Sequence, residues 1–129
     1  MTAPVDIGGN PGGNALTPIE VRALVNVVLD LADDFGFDCA VAVVDRNGAL
    51  RGAERPETLP VGHLDDALEA ARRSLREGAW EVAGLHAGAV VLDLGRGTRG
   101  ALAVSGGPDG FALEACREAA SALGLRQAA

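Results

Sequence analysis

The side chains of this sequence that carry reactive or metal-binding groups are few and widely spaced. The chain has two histidines, His63 and His86, and two cysteines, Cys39 and Cys116. A neutral imidazole can ligate a metal ion, and His63 is the better candidate because it follows a proline-bounded loop at the start of a predicted helix. The cysteines lie among apolar neighbours without a Cys-x-x-Cys pair, a pattern that favours two buried, reduced thiols.

A glycine-rich junction provides the second candidate site. Ser105, Gly106, Gly107 and Pro108 separate a predicted strand from the last predicted helix. Paired glycines let the backbone approach a ligand closely, and the first N–H groups of a helix attract anions. Arg55, at the end of the first predicted hairpin, offers a bidentate partner for the same carboxylate or phosphate. The alternative interpretation is a tight structural turn.

Glu54 and Glu57 have the E-x-x-E spacing that can chelate a hard cation. Pro56 prevents a regular helix between them, and Arg55 competes for their charge, so we expect a solvated loop and no metal site. No Ser-His-Asp arrangement, metal-ligand cluster or paired general acid and base is visible in the spacing. The residues therefore do not decide whether the protein is an enzyme.

Length and charge restrict the class of protein. The 129 residues are typical of one domain, and a net charge of −7 argues against nucleic-acid binding. No segment approaches the roughly 20 apolar residues that span a bilayer. Residues 1–14 contain no lysine, arginine or apolar run, so we expect a flexible, glycine-rich tail rather than a signal peptide, and a cytoplasmic protein. Residues 15–129 are predicted to form a single domain.

Helices alternate with hairpins in the predicted order of elements. Thr17, Pro18 and Glu20 form a capping-box pattern at the start of the first helix, and Gly36 is placed to end it. Apolar runs predict strands at 37–44, 49–55, 87–94 and 101–104, with a short helical turn at 80–86. Two further helices are predicted, one at about 64–77 and one from just after Pro108 to about residue 123. Two adjacent hairpins give an antiparallel sheet that the helices must cover.

Two segments carry a family resemblance. Residues 41–50, VAVVDRNGAL, resemble the first hairpin of GlcG/HbpS-type proteins, which include the C-terminal domain of PduO. Residues 101–107, ALAVSGG, resemble the strand-to-helix junction of that family, and Arg55 stands where it has an arginine. The resemblance covers about residues 15 to 125. It implies an α/β fold, a profilin-like α/β/α sandwich with a central antiparallel sheet flanked by helices.

The same resemblance implies homo-oligomers and, in several members, binding of haem or a corrinoid. The sequence departs from the family around the ligand pocket: the family's helix lysine aligns near Ala70, and where the family has a glycine-rich stretch this chain has only residues 87–90, AGAV. A small-residue stripe on the last helix also favours at least a dimer. Its members are Ala112, Ala115, Ala119 and Ala122.

The function predicted from the sequence is small-molecule binding or an accessory role, with haem or another tetrapyrrole as the favoured ligand. Two alternatives remain open: a cofactor-free enzyme that acts on a small acidic metabolite in a biosynthetic pathway, and a ligand-free oligomeric interaction module. The expected partners are a small-molecule ligand and further copies of the chain, without nucleic acid or membrane. The predicted ligand-binding residues are Arg55, His63, Ser105, Gly106 and Gly107.

Overall fold

A computed structural model describes residues 15–84, 86–93 and 97–125; the predicted N-terminal tail lies outside these ranges. Within them the chain forms three helices and five strands. The helices are α1 (Pro18–Phe35), α2 (Gly62–Glu77) and α3 (Phe111–Ala122). The strands are β1 (Cys39–Asp45), β2 (Leu50–Glu54), β3 (Glu81–Ala83), β4 (Ala87–Asp93) and β5 (Thr98–Gly106). None of these helices is long and apolar enough to cross a membrane.

The start of α1 follows the predicted capping box. The hydroxyl of Thr17 accepts a hydrogen bond from the Glu20 amide at 3.1 Å, and the Glu20 carboxylate accepts one from the Thr17 amide at 2.9 Å. Gly36 ends the helix in the left-handed conformation at φ 77°. Arg99 of β5 is buried and donates to the same Glu20 carboxylate at 2.9 Å. The cap therefore also ties α1 to the sheet.

The five strands form one antiparallel sheet in the order β2-β1-β5-β4-β3. The two predicted hairpins lie side by side, with β1 and β5 at the centre. At the first turn the Asp45 carboxylate accepts hydrogen bonds from the amides of Asn47 and Ala49 at 2.9 and 3.0 Å. This contact explains why the Asn-Gly turn forms at this position.

The helical turn predicted at 80–86 is wrong, because residues 81–83 form the edge strand β3. Glu81 pairs with Val90 and Ala83 with Gly88 of β4. The side chain of Glu81 also accepts a hydrogen bond from Arg117 of α3 at 2.7 Å. Backbone pairing with β4, rather than any pattern within residues 81–83 themselves, makes this segment a strand.

Each face of the sheet has its own helical cover. Helices α1 and α3 pack on the branched side chains of the sheet, among them Val41, Leu102 and Val104. Helix α2 packs on the opposite face, which consists largely of alanine. Small side chains on that face let the helix approach the strands closely. The alanines at this contact are Ala42, Ala89, Ala101 and Ala103 of the sheet and Ala67, Ala70 and Ala71 of α2.

The small-residue stripe of α3 faces the interior of its own domain. Ala112, Ala115 and Ala119 are at most 4% exposed and belong to the core beneath α1 and α3, and only Ala122 is exposed. The prediction that this stripe contacts a second subunit is therefore wrong. Residues three or four apart lie on one face of a helix, and here that face packs on the sheet of the same domain. Self-association itself stays a prediction.

The two ends of the described fold lie beside the β4–β5 hairpin. Arg99 donates to the Ala15 carbonyl at 3.1 Å, and the Asp93 amide donates to the Leu125 carbonyl at 3.1 Å. Asp93 and Thr98 are paired across this hairpin. The first and last described residues thus lie at the same end of the sheet.

Candidate functional site

The predicted site residues come together at the opposite end of the sheet. Ser105 and Gly106 are the last two residues of β5, and Arg55 follows the last residue of β2. His63 is the second residue of α2 and lies over that end. Antiparallel pairing places the end of β5 beside the start of β1, where Cys39 pairs with Gly106.

His63 and Ser105 form a direct contact. The Nδ1 atom of His63 lies 3.0 Å from the Oγ atom of Ser105, although the residues are 42 positions apart. Ser105 is fully buried on the face covered by α2, and His63 is half-buried above it. Within the described ranges the second ring nitrogen, Nε2, has no hydrogen-bond partner. The contact with Ser105 therefore holds the ring through Nδ1, and ligand binding by His63 stays a prediction.

Arg55 organises the loop between β2 and α2. Its guanidinium donates to the carbonyl of Leu59 at 2.6 Å and to that of Pro56 at 3.3 Å. No carboxylate in the described part of the chain forms an ion pair with it. The arginine thus shapes the segment that leads into His63. Its direct contact with a ligand stays a prediction.

The glycine junction differs from its sequence prediction. Gly106 lies within β5 and its amide donates to the His86 carbonyl at 2.7 Å. Gly107 has φ 76°, and a Cβ atom there would come within 2.8 Å of the Phe111 ring. Helix α3 begins at Phe111, after Gly110, rather than directly after Pro108. The amide of Gly106 is therefore used within the fold, and ligand binding by these glycines stays a prediction.

Three phenylalanines, the full complement of the chain, gather next to this junction. The ring centroids of Phe37 and Phe111 are 5.5 Å apart, and Phe35 lies 6.5 Å from Phe37 and 6.3 Å from Phe111. Phe35 is 64% exposed. Sequence reasoning missed this cluster because the third ring comes from α3. The spacing of Phe35 and Phe37 around the helix-ending Gly36 was the available signal.

The two cysteines are free and buried, as predicted. Burial raises the pKa of Cys39 from 9.0 to about 11, and the neighbouring Asp38 carboxylate contributes to the same rise. A thiol in this state is a poor nucleophile at neutral pH. Glu54 and Glu57 are both exposed, and no group of three His, Cys, Asp or Glu side chains able to hold a metal occurs among the residues described.

No family model matches this sequence, and no curated protein sequence matches it. Solved structures are similar over most of their length. A PduOC:heme complex has a TM-score of 0.74 at 15% identity, covering 84% of this chain and 94% of that chain. The Klebsiella pneumoniae protein ORFY has a TM-score of 0.73 at 16% identity, covering 87% and 92%.

The third similar structure is a Streptomyces reticuli HbpS double mutant in which two glutamates are replaced by aspartate. Its TM-score is 0.70 at 21% identity, and the match covers 95% of this chain and 98% of that chain. These comparisons confirm the fold that the resemblance implied. The chain is an α/β/α sandwich with a central antiparallel sheet, as in PduOC, ORFY and HbpS.

Proposed function

We propose that this protein shares with GlcG/HbpS-type proteins the binding of a small ligand, with haem or another tetrapyrrole as the favoured ligand and His63 as its axial residue. The observation that carries the proposal is the contact between His63 and the buried Ser105. It holds the imidazole through Nδ1 and leaves Nε2 without a partner in the described residues. The similarity to a PduOC:heme complex supports the ligand class.

The donor groups at this end of the sheet fit such a ligand. Metal ligation requires an unprotonated Nε2, and this tautomer forms when the Nδ1–H group donates to the Ser105 hydroxyl. Val61, two residues before His63, is 60% exposed, so its side chain offers an apolar contact for the tetrapyrrole ring. Arg55 in the preceding loop carries the positive charge that a ligand carboxylate needs. When bound, haem would supply a redox-active iron centre.

The environment of His63 sets the expected affinity. The imidazole is half-buried at the surface of the domain, so a ligand bound there stays partly in water. We expect a dissociation constant in the micromolar range, about −8 kcal/mol.

The experiment is a haem titration of the apoprotein followed at the Soret band. The wild type should give a saturable band, His63→Ala should abolish or shift it, and Ser105→Ala should weaken binding because the ring loses its anchor. His86→Ala is the matched control, since His86 is exposed and lies 3.8 Å from Asp109 rather than at Ser105. Absence of a saturable band in the wild type would refute the tetrapyrrole proposal. A saturable band that His63→Ala leaves unchanged in position and affinity would refute the choice of axial residue.

The contact between a serine and a histidine also bears on the enzyme alternative. A serine nucleophile must reach the substrate, whereas the Ser105 side chain is fully buried beneath the imidazole. This geometry favours an orienting role for Ser105 and supports binding over hydrolysis.

In keeping with the family resemblance, we also propose that the protein is a cytoplasmic homo-oligomer.

A further inference from the structure

A groove of about 550 Å³ lies at the tip of the β1–β2 hairpin, where the hairpin meets the last turns of α2. It is separate from the proposed haem site, because Arg72 is nine residues, about 14 Å, along α2 from His63. Its volume is in the range of small-molecule sites. The residues that line it are Arg46, Asn47, Gly48, Ala49, Arg72, Leu75 and Arg76.

Three guanidinium groups line this groove, and among the described residues one of them has an acidic partner. Arg76 forms an ion pair with Glu69 at 3.1 Å, in which both side chains are more than half exposed. Within the described ranges, Arg46 and Arg72 form no ion pair. An exposed pair such as Arg76–Glu69 contributes little and leaves the charge available. The groove is therefore cationic on a protein whose net charge is −7.

Arg72 is held in place for recognition of an anion. Its Nε atom donates to the Gly48 carbonyl at 2.9 Å, which joins α2 to the hairpin turn. The two terminal nitrogens have no hydrogen-bond partner in the described part of the chain. The nearby Asp45 carboxylate is directed into the turn, where it accepts the amides of Asn47 and Ala49. A guanidinium fixed in this way loses little freedom when it binds a phosphate with two hydrogen bonds.

We propose that this groove binds a soluble small molecule through a phosphate or pyrophosphate group. Arginine recognises phosphate in a bidentate manner, and three arginines match the multiple charge of such a group better than that of a monocarboxylate. The half-buried Leu75 adds an apolar contact for the organic part of the ligand. The groove is too small for an extended nucleic-acid backbone, and the net charge of −7 also disfavours such a ligand.

Titration calorimetry of the full chain with pyrophosphate at low ionic strength tests this site. We expect saturable binding to the wild type, weakened about tenfold or more in Arg72→Gln and in Arg46→Gln. The matched control is Arg73→Gln, which removes the same charge from the adjacent position of α2, where Arg73 pairs with Glu77 at 3.0 Å. The affinity of the Arg73→Gln variant for pyrophosphate should differ less than twofold from that of the wild type.

Arg46→Gln keeps the test valid if loss of the Arg72–Gly48 contact disturbs the hairpin, because Arg46 makes no such contact. Equal weakening in Arg73→Gln would overturn the proposal, since it would indicate general attraction of anions. Absence of saturable binding to the wild type would overturn it too. If the protein floated with vesicles of phosphatidic acid and phosphatidylcholine but did not bind free pyrophosphate, the proposal of a soluble ligand would also be refuted.

Discussion

Helix α3 crosses strand β4 at Gly88, and this crossing allows a quantitative test of the fold. A Cβ atom at Gly88 would lie 2.7 Å from the Leu113 amide nitrogen and 2.8 Å from the Leu113 Cα atom. Both are backbone atoms, so no side-chain rotation can relieve the contact. The thiol of Cys116 also lies 3.5 Å from the Gly88 carbonyl. We therefore expect Gly88→Ala to force the helix and the strand apart.

The size of the effect follows from this distance. Non-bonded carbon contacts are optimal at about 3.5–4.0 Å, so the two elements must separate by roughly 1 Å. Such overpacking of a core typically lowers the free energy of unfolding by about 1–3 kcal/mol. We expect a loss of about 2 kcal/mol, which for a domain of this size lowers Tm by roughly 6–10 °C.

Urea denaturation followed by circular dichroism measures this loss, with Gly62→Ala as the control. No heavy atom lies within 4 Å of a Cβ atom at Gly62, which is the first residue of α2. Alanine favours a helix over glycine by up to about 1 kcal/mol, so the control should be neutral or more stable. A loss below about 0.5 kcal/mol in Gly88→Ala would show that the close packing of α3 on β4 does not restrict this position.

Two further predictions concern pH and assembly. Because Cys39 keeps its proton in the folded state up to a pKa of about 11, its contribution to stability is complete below pH 9 and is lost as the pH rises through 11. Two pH units correspond to about 2.7 kcal/mol at most. The chain contains no lysine or tyrosine, so few other groups titrate in this range. In urea denaturation, the free energy of unfolding of Cys39→Ala should fall less between pH 8.5 and 11 than that of the wild type. An equal fall in both proteins would contradict the assignment to Cys39. Light scattering at micromolar concentration should show at least a dimer, and a monomer alone would refute self-association.

Sequence patterns predicted those elements whose signals are local. The capping box of α1, the Asn-Gly hairpin and the buried strands each depend on neighbouring residues, and all were confirmed. Strand β3 was missed because three residues are too few for a period and form a strand only by pairing with β4. The first part of β5 was taken for a turn, since Gly97 and Gly100 conceal the strand formed by residues 98–106.

The candidate sites depended on contacts that no local pattern contains. His63 and Ser105 were predicted separately, from a loop boundary and a glycine junction, but their contact forms only when α2 lies over the end of β5. The arginine groove was missed for the same reason. Arg72 and Arg76 are four residues apart on α2, whereas Arg46 joins them only through the hairpin turn. Long-range packing, rather than residue type, assembles both sites.

Ala15 and Leu125, the first and last residues that the structure describes, lie beside the β4–β5 hairpin, and this position has a practical consequence. Ala15 and Leu125 are held there by Arg99 and Asp93, at the end of the sheet away from His63. A fusion partner or surface tether joined directly at Ala15 or Leu125 would therefore leave the imidazole face open. A linker between Ala15 and Leu125, with new termini cut at the exposed residues 57–58, would yield a circular permutant that retains the strand pairings of the described sheet.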